Sequence, residues 1–198
     1  MIKKFLSKAF ILSGITLILI SFCLFVQNLQ TEENLKISTS NILVEIFEQL
    51  EEIKIEKNDE NLVEDYSDTE YTKEVLVDNS LYCFVLNIPS LGLQLPVQSN
   101  WSYENLNVSP CVYKSEPLSI AAHNYDTHFG KLTSLNIGDS VSIEYFSGEI
   151  DEYKVVSITK IYETDVEELE NSDYDLSLFT CNYSNNSERI LVRLNKIF

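Results

Sequence analysis

The chain has 198 residues, 31 Asp and Glu against 14 Lys and Arg, and a formal net charge of −17. That balance excludes a nucleic-acid-binding role, because neutralising phosphates requires clustered Lys and Arg. With 44% hydrophobic residues, part of them in one N-terminal run, the length supports one domain plus appendages.

Eighteen residues from Ala9 to Val26 are almost all apolar and carry no charge. At 1.5 Å per residue such a helix spans about 27 Å, close to a bilayer core. Lys3, Lys4 and Lys8 precede it, and Glu32 and Glu33 follow it. The positive-inside rule then places 1–8 as a cytoplasmic tail, 9–27 as a transmembrane anchor and the rest outside the cell membrane. The exit Phe25-Val26-Gln27-Asn28-Leu29 offers no small-x-small cleavage site, so a retained anchor is expected. Residues 28–79 read as an acidic linker, with fifteen Asp and Glu against four Lys between Thr31 and Asp78. Ile42, Ile46, Leu50 and Ile53 recur at helical spacing, which predicts a helix over 42–57 with Asn41 as its N-cap. The charge favours a solvated stalk over a helix that packs on the domain.

From Ser80 the pattern changes to short apolar runs separated by Pro, Gly, Asn and Asp. Strands are predicted at 81–88, 91–97, 118–122, 140–146, 153–161, 176–181 and 190–194. Phe129–Leu135 reads as a helical turn and Asp165–Leu169 as a short helix. Seven or eight strands in residues 80–198 predict a mainly β domain built as a closed or nearly closed barrel.

Cys23, Cys83, Cys111 and Cys181 are the four cysteines. Cys23 lies in the apolar run, so the outer part holds an odd number and at least one free thiol. A Cys83–Cys111 disulfide is a minor alternative. The arginines are only Arg189 and Arg193. Strand alternation puts Ser177, Phe179 and Cys181 on one face of their strand, and Arg189, Leu191 and Arg193 share a face of the following one. If the two strands pair, Cys181 and Arg189 meet at the mouth of a hairpin. A guanidinium there stabilises a thiolate or an oxyanion. The histidines are only His123, at a strand end among small residues, and His128, in a polar turn. A metal site using both with Asp126 lacks further ligands at sensible spacing, and none is expected. Singly, each of these residues reads most simply as a buried Cys, a satisfied His or a surface Arg. Their combination does not.

Ser177-Leu178-Phe179-Thr180-Cys181 with Arg189 eight residues on resembles the TLxTC…R signature of sortases. Ser119-Ile120-Ala121-Ala122-His123-Asn124 is similar to their IAGH segment. Phe129-Gly130-Lys131-Leu132 with Gly138-Asp139 matches the stretch that follows, and Leu86-Asn87-Ile88-Pro89 with Leu95-Pro96-Val97 resembles the opening strands. Ser177 stands for the usual first Thr, and Ala122 for the usual Gly before His. The resemblance covers 80–198 and implies an eight-stranded sortase barrel with short helices. It implies a cysteine transpeptidase of Gram-positive surfaces, with Cys181 as nucleophile, His123 as acid–base and Arg189 as oxyanion holder. Thr180 and Asn124 would contact substrate. Partners would be secreted proteins with LPxTG-type sorting signals, and a peptidoglycan-precursor or pilin amine as acceptor. The subclass is expected to be B-like, from Thr180-Cys181-Asn182-Tyr183, or D-like, from the short 161–176 segment. No cofactor is required. Calcium is permitted by Glu163, Asp165, Glu167 and Glu168, although an acidic helix start accounts for them. Two rival readings are a non-catalytic anchored binding domain on the same barrel and another extracellular cysteine enzyme. An L,D-transpeptidase would show a Ser/Thr-His-Gly-Cys cluster, which this chain lacks.

Overall fold

Neither proline nor glycine occurs between Gly14 and Pro89, so nothing in the backbone chemistry stops a helix there. The computed structural model, which describes residues 2–59, 74–170 and 173–197, carries one continuous helix, α1, over Ile2–Asp59. The expected helix at 42–57 is thus the end of a longer one. Asn41 lies inside it and caps nothing, because a cap requires a non-helical residue at that point. The apolar part is long enough to cross a membrane. The Thr16 hydroxyl is satisfied inside it, donating to the Leu12 and Ser13 carbonyls at 2.9 Å each.

The chain divides after Ile37 into two compact units. Most of the expected linker therefore belongs to the second unit, which begins at Ser38. There Ile42 and Ile46 are buried and cluster with Val75, Val77 and Tyr82, and Gln49 Nε2 donates to the Leu76 carbonyl at 3.1 Å. The stalk expectation is corrected here: the apolar stripe packs on the domain, and the charge occupies the opposite face. The segment 60–73, expected as an extended part of the linker, lies outside the described residues.

β1 (Val75–Val77) and β2 (Ser80–Ile88) form a hairpin through Asp78 and Asn79. Both have positive φ, 47° and 64°, as a two-residue turn matching the strand twist requires. The remaining strands are β3 (Leu93–Gln98), β4 (Cys111–Ser115), β5 (Leu118–Ala121), β6 (Ser140–Tyr145), β7 (Ile150–Tyr162), β8 (Leu176–Asn182) and β9 (Asn185–Lys196). Two short helices, α2 (Tyr103–Leu106) and α3 (Val166–Glu170), join them. The order β2-β3-β4-β5-β8-β9-β7-β6 closes by β6 pairing back on β2, with β1 appended to β2. An eight-stranded closed barrel with short helices results. Its interior holds Leu86, Ile88, Leu95, Ile120, Phe129, Leu132, Ile143, Leu176, Leu178 and Val192, all fully or nearly fully buried.

The sequence reading missed β1 and β4. β4 is only five residues bracketed by Pro110 and Pro117, and flanking prolines read as loop. The helical turn expected near 129–135 is a 3-10 turn at Leu132–Ser134. All four cysteines are free thiols, so Cys83 and Cys111 do not pair.

Candidate active site

β5 and β8 are parallel neighbours, with Ala121 opposite Phe179. The Ala122 N–H continues the ladder to the Phe179 carbonyl at 3.3 Å. On the other side of β8, antiparallel β9 sets Arg189 directly opposite Cys181. β8 and β9 thus bring Cys181 and Arg189 onto one rung, and His123, two residues past the end of β5, lines the same cleft. Neighbouring strands are about 4.8 Å apart, which sets the backbones of Cys181 and Arg189 side by side.

The rung opens into a cleft of about 300 Å³ lined by His123, Thr180, Cys181, Arg189 and Glu163, with Trp101, Tyr113 and Phe179 forming an aromatic wall. Tyr113 meets Phe179 edge-on at 5.2 Å and Trp101 at 5.9 Å. Such a wall takes apolar side chains and keeps water from the thiol. Thr180 lies in this cleft with a buried hydroxyl that has no hydrogen-bond partner. Asn124 follows His123 in the loop but does not line the cleft.

His123 is held by a residue that the sequence did not single out. Asn107, the C-cap of α2, lies 3.1 Å from His123 Nε2 through its Oδ1. An amide oxygen only accepts, so this contact is a hydrogen bond in the tautomer that carries the proton on Nε2. Burial lowers the His123 pKa below its usual 6.5, because a charged imidazole loses solvation there. The loop after His123 folds back tightly: the Phe129 N–H donates to the His123 carbonyl at 3.1 Å and the Gly130 N–H to the Tyr125 carbonyl at 2.8 Å. A Cβ on Gly130 would lie 2.5 Å from the Asn124 carbonyl oxygen, so glycine is required by close backbone approach. His128 is fully buried beneath this loop, with neither ring nitrogen hydrogen-bonded. It is no cleft residue, and among the described residues no group of acids, histidines and cysteines has the arrangement of a metal site.

Arg189 donates through Nη1 to the Asn186 carbonyl at 2.6 Å and the Glu188 carbonyl at 3.1 Å, and through Nη2 to Glu163 Oε2 at 3.1 Å. Arg193 is buried and turned away, donating to Ser177 Oγ at 2.6 Å and to the Glu168 carbonyl. Two of the four acids that permitted calcium are engaged inside the fold. Glu163 pairs with Arg189, and Asp165 accepts from the Tyr162 N–H at 3.0 Å.

A second cavity of about 1010 Å³ lies toward the other end of the barrel, where β5 and β8 begin, lined among others by Cys83, Leu118, Tyr145 and Asp175. Size does not make it the reaction site. Five residues of strand, about 17 Å, separate Leu118 from His123. Burial also pushes the Cys83 thiol up to about 12, so it is protonated and unreactive.

The closed barrel thus brings a Cys, a His and an Arg to the lining of one cleft. The Sortase domain model matches residues 86–197, more than half the chain and all three of these residues, and the protein belongs to the sortase family of cysteine transpeptidases. Among solved structures, the Group B Streptococcus pilus island 1 sortase C2 is 26% identical, with a TM-score of 0.54 over 59% of this chain and 74% of that one. Sortase A from Corynebacterium diphtheriae is 23% identical, with a TM-score of 0.55 over 60% and 62%. Sortase C from Clostridium perfringens SM101 is 22% identical, with a TM-score of 0.53 over 81% and 98%. The chain thus spans less than two thirds of the corynebacterial enzyme. The last two likenesses concern the fold alone. These neighbours are of A and C types, whereas the sequence suggested B or D, and no subclass is assigned. Comparison with curated protein sequences gives no match.

Proposed function

We propose that this chain is a membrane-tethered sortase that cleaves a C-terminal sorting signal of LPxTG type from secreted proteins and transfers the new carboxyl end to an amine. The observation that supports it most is the meeting of three side chains: Cys181 stands opposite Arg189, and His123 lines the same cleft. Cys181 gives its thiol proton to neutral His123, and its Sγ attacks the carbonyl carbon of the scissile peptide bond. Arg189 donates to the carbonyl oxygen as negative charge develops on it. The C–N bond breaks, His123 passes a proton to the departing amine, and a thioester remains on Cys181. The incoming amine attacks the thioester, gives a proton to His123 and displaces the thiolate. A half-buried imidazole whose pKa is lowered gives up its proton readily to the departing amine. Thr180, beside the nucleophile in the cleft, contacts the substrate backbone, whereas Asn124 lies outside the cleft lining and has no part in this reading.

The acceptor is an amine of a peptidoglycan precursor or of a pilin lysine. α1 anchors the enzyme with its N-terminus in the cytoplasm and the barrel outside, where exported proteins and lipid-linked precursors meet. The test uses the full chain in lipid nanodiscs with a library of sorting-signal peptides. Mass spectrometry is expected to find the acyl fragment on Cys181 and, with an added amine, the ligated product. Cys181→Ala abolishes both, and Arg189→Ala nearly does. If the wild-type chain binds peptides but never acquires the acyl mass, the binding-domain reading replaces the transpeptidase. An acyl mass persisting in Cys181→Ala would place the nucleophile elsewhere.

A further inference from the structure

The only two arginines of the chain both hold the same segment, the turn and helix that run from Glu163 through α3. Arg193 fastens its far part: it donates to the Glu168 carbonyl and to Ser177 Oγ, and its guanidinium lies 5.6 Å from the Tyr174 ring centre. Arg193 is 5% exposed and serves as a fixed pin. Arg189 meets the near part through one side chain, Glu163, which projects from the end of β7. The Glu163 N–H donates to the Ser187 carbonyl at 2.9 Å, so its backbone is already set against the β8–β9 turn. Its carboxylate can therefore act as a fixed stop for the guanidinium.

The donor count of Arg189 makes that contact consequential. A guanidinium carries five N–H groups in a rigid plane. Nη1 spends both of its own on the Asn186 and Glu188 carbonyls, and Nη2 spends one on Glu163. Two carbonyls on one nitrogen leave the plane free to swing about the Nη1 end. The Glu163 carboxylate on the second nitrogen removes that freedom. Nε–H and the second Nη2–H remain for a substrate carbonyl. The pair is half-exposed, at 24% for Arg189 and 50% for Glu163, so its net stabilisation of the fold is small. What the contact fixes is direction, and misdirected donors lose transition-state stabilisation.

We propose that Glu163 is the positioning residue of Arg189, holding its guanidinium plane so that two donors face the carbonyl attacked by Cys181. The role rests on the transpeptidase reading above. The experiment is therefore built on a readout that needs no activity. Uniform labelling of arginine with nitrogen-15 in the full chain gives two side-chain Nε–H signals, and Arg189→Lys assigns one of them. Glu163→Gln is expected to shift the Arg189 signal and speed rotation about its Nε–Cζ bond several-fold, leaving the Arg193 signal in place. In transpeptidation, Glu163→Ala is expected to lower kcat about tenfold with KM for the peptide within about twofold. Glu163→Asp should recover part of the loss. An Arg189 signal untouched by Glu163→Gln overturns the proposal. So does a variant whose signal moves while kcat does not, because the contact is then a structural tie. If the wild-type chain never forms the acyl-enzyme, the function falls and the positioning role with it. The spectrum then still decides whether Glu163 orients the guanidinium.

Discussion

Acid should weaken this fold through His128, and replacing that one side chain should remove much of the sensitivity. His128 is fully buried, and neither ring nitrogen has a partner. Burial, assisted by the charge of nearby His123, pushes its pKa from 6.5 down to about 4. The unfolded chain takes up a proton near pH 6.5, while the folded chain does not until about pH 4. Between those values the unfolded state binds more protons, so stability falls as pH falls. Each pH unit in the window is worth about 1.4 kcal/mol, and the window spans enough of them to cost about 3 kcal/mol. The contribution is intact above pH 6.5. His128→Phe keeps an aromatic ring and removes the titration. Its packing cost, about 1–3 kcal/mol if the larger ring strains the site, is the same at every pH. Urea unfolding of the full chain, followed by the fluorescence of the only tryptophan, Trp101, gives stability at a series of pH values from 7.5 to 4.5. Carboxylates contribute equally to both proteins, so the comparison isolates His128 together with its charge coupling to His123. The variant should lose about 3 kcal/mol of the pH dependence. Parallel profiles for the two proteins would refute the reasoning.

Three further outcomes follow from the same geometry. Gly130→Ala should push the Asn124–Tyr125 backbone outward, destabilising the barrel by about 1–3 kcal/mol, and should lower kcat/KM because that backbone carries His123; unfolding curves and peptide kinetics measure the two. Ile46→Ala, at a fully buried position against the β1–β2 hairpin, should cost about 2–5 kcal/mol in the same urea assay, whereas exposed Val44→Ala should cost little. Burial raises Cys83 and Cys111 from 9.0 to about 12, so each holds about a thousandfold less thiolate at neutral pH than an ordinary thiol. Iodoacetamide with peptide mapping of the nanodisc-held chain should therefore modify Cys181 well before either.

Much of the barrel and the rung was legible because both are written in local patterns. Alternation marked β2, β3, β6, β7 and β8, and the strand that ends in Cys181 could be placed on a face by counting. Helix length was not legible, because an N-cap residue such as Asn41 signals a start only where the preceding residues leave the helix. No local feature compels Thr31–Ser40 to do so. β1 escaped because three residues joined by an Asp-Asn turn fall below the length at which alternation is visible. Asn107 and Glu163 escaped for a different reason. Each is an ordinary polar residue in a turn, and its importance arises only when a strand from elsewhere brings His123 or Arg189 beside it. The burial of His128 was hidden likewise, since Asn124–Thr127 are polar and read as an exposed turn. The scarcity of arginine was the one sequence signal that pointed past the motif, to the segment that both arginines hold.

The ring of strands also has a thin joint. β3 and β4 share a single parallel pair, Gln98 with Cys111, whereas β7 and β9 run together from Tyr153 to Tyr162. The joint is reinforced from beneath by the buried Gln98 amide, which donates to the Asn105 carbonyl at 2.8 Å and to Ser109 Oγ at 3.0 Å. Between the two strands lies the segment that bears Trp101, Tyr103, Leu106 and Asn107. Local opening costs least where the fewest ladder bonds must break, so amide protons of this segment should exchange sooner than those of β8 and β9. Cys181 and Arg189 therefore sit on the slow-exchanging side of the barrel, while Trp101 and the Asn107 amide that meets His123 sit on the fast one. In kinetic terms the Cys181 sulfur is held still, and the Trp101 side of its cleft is the part that breathes.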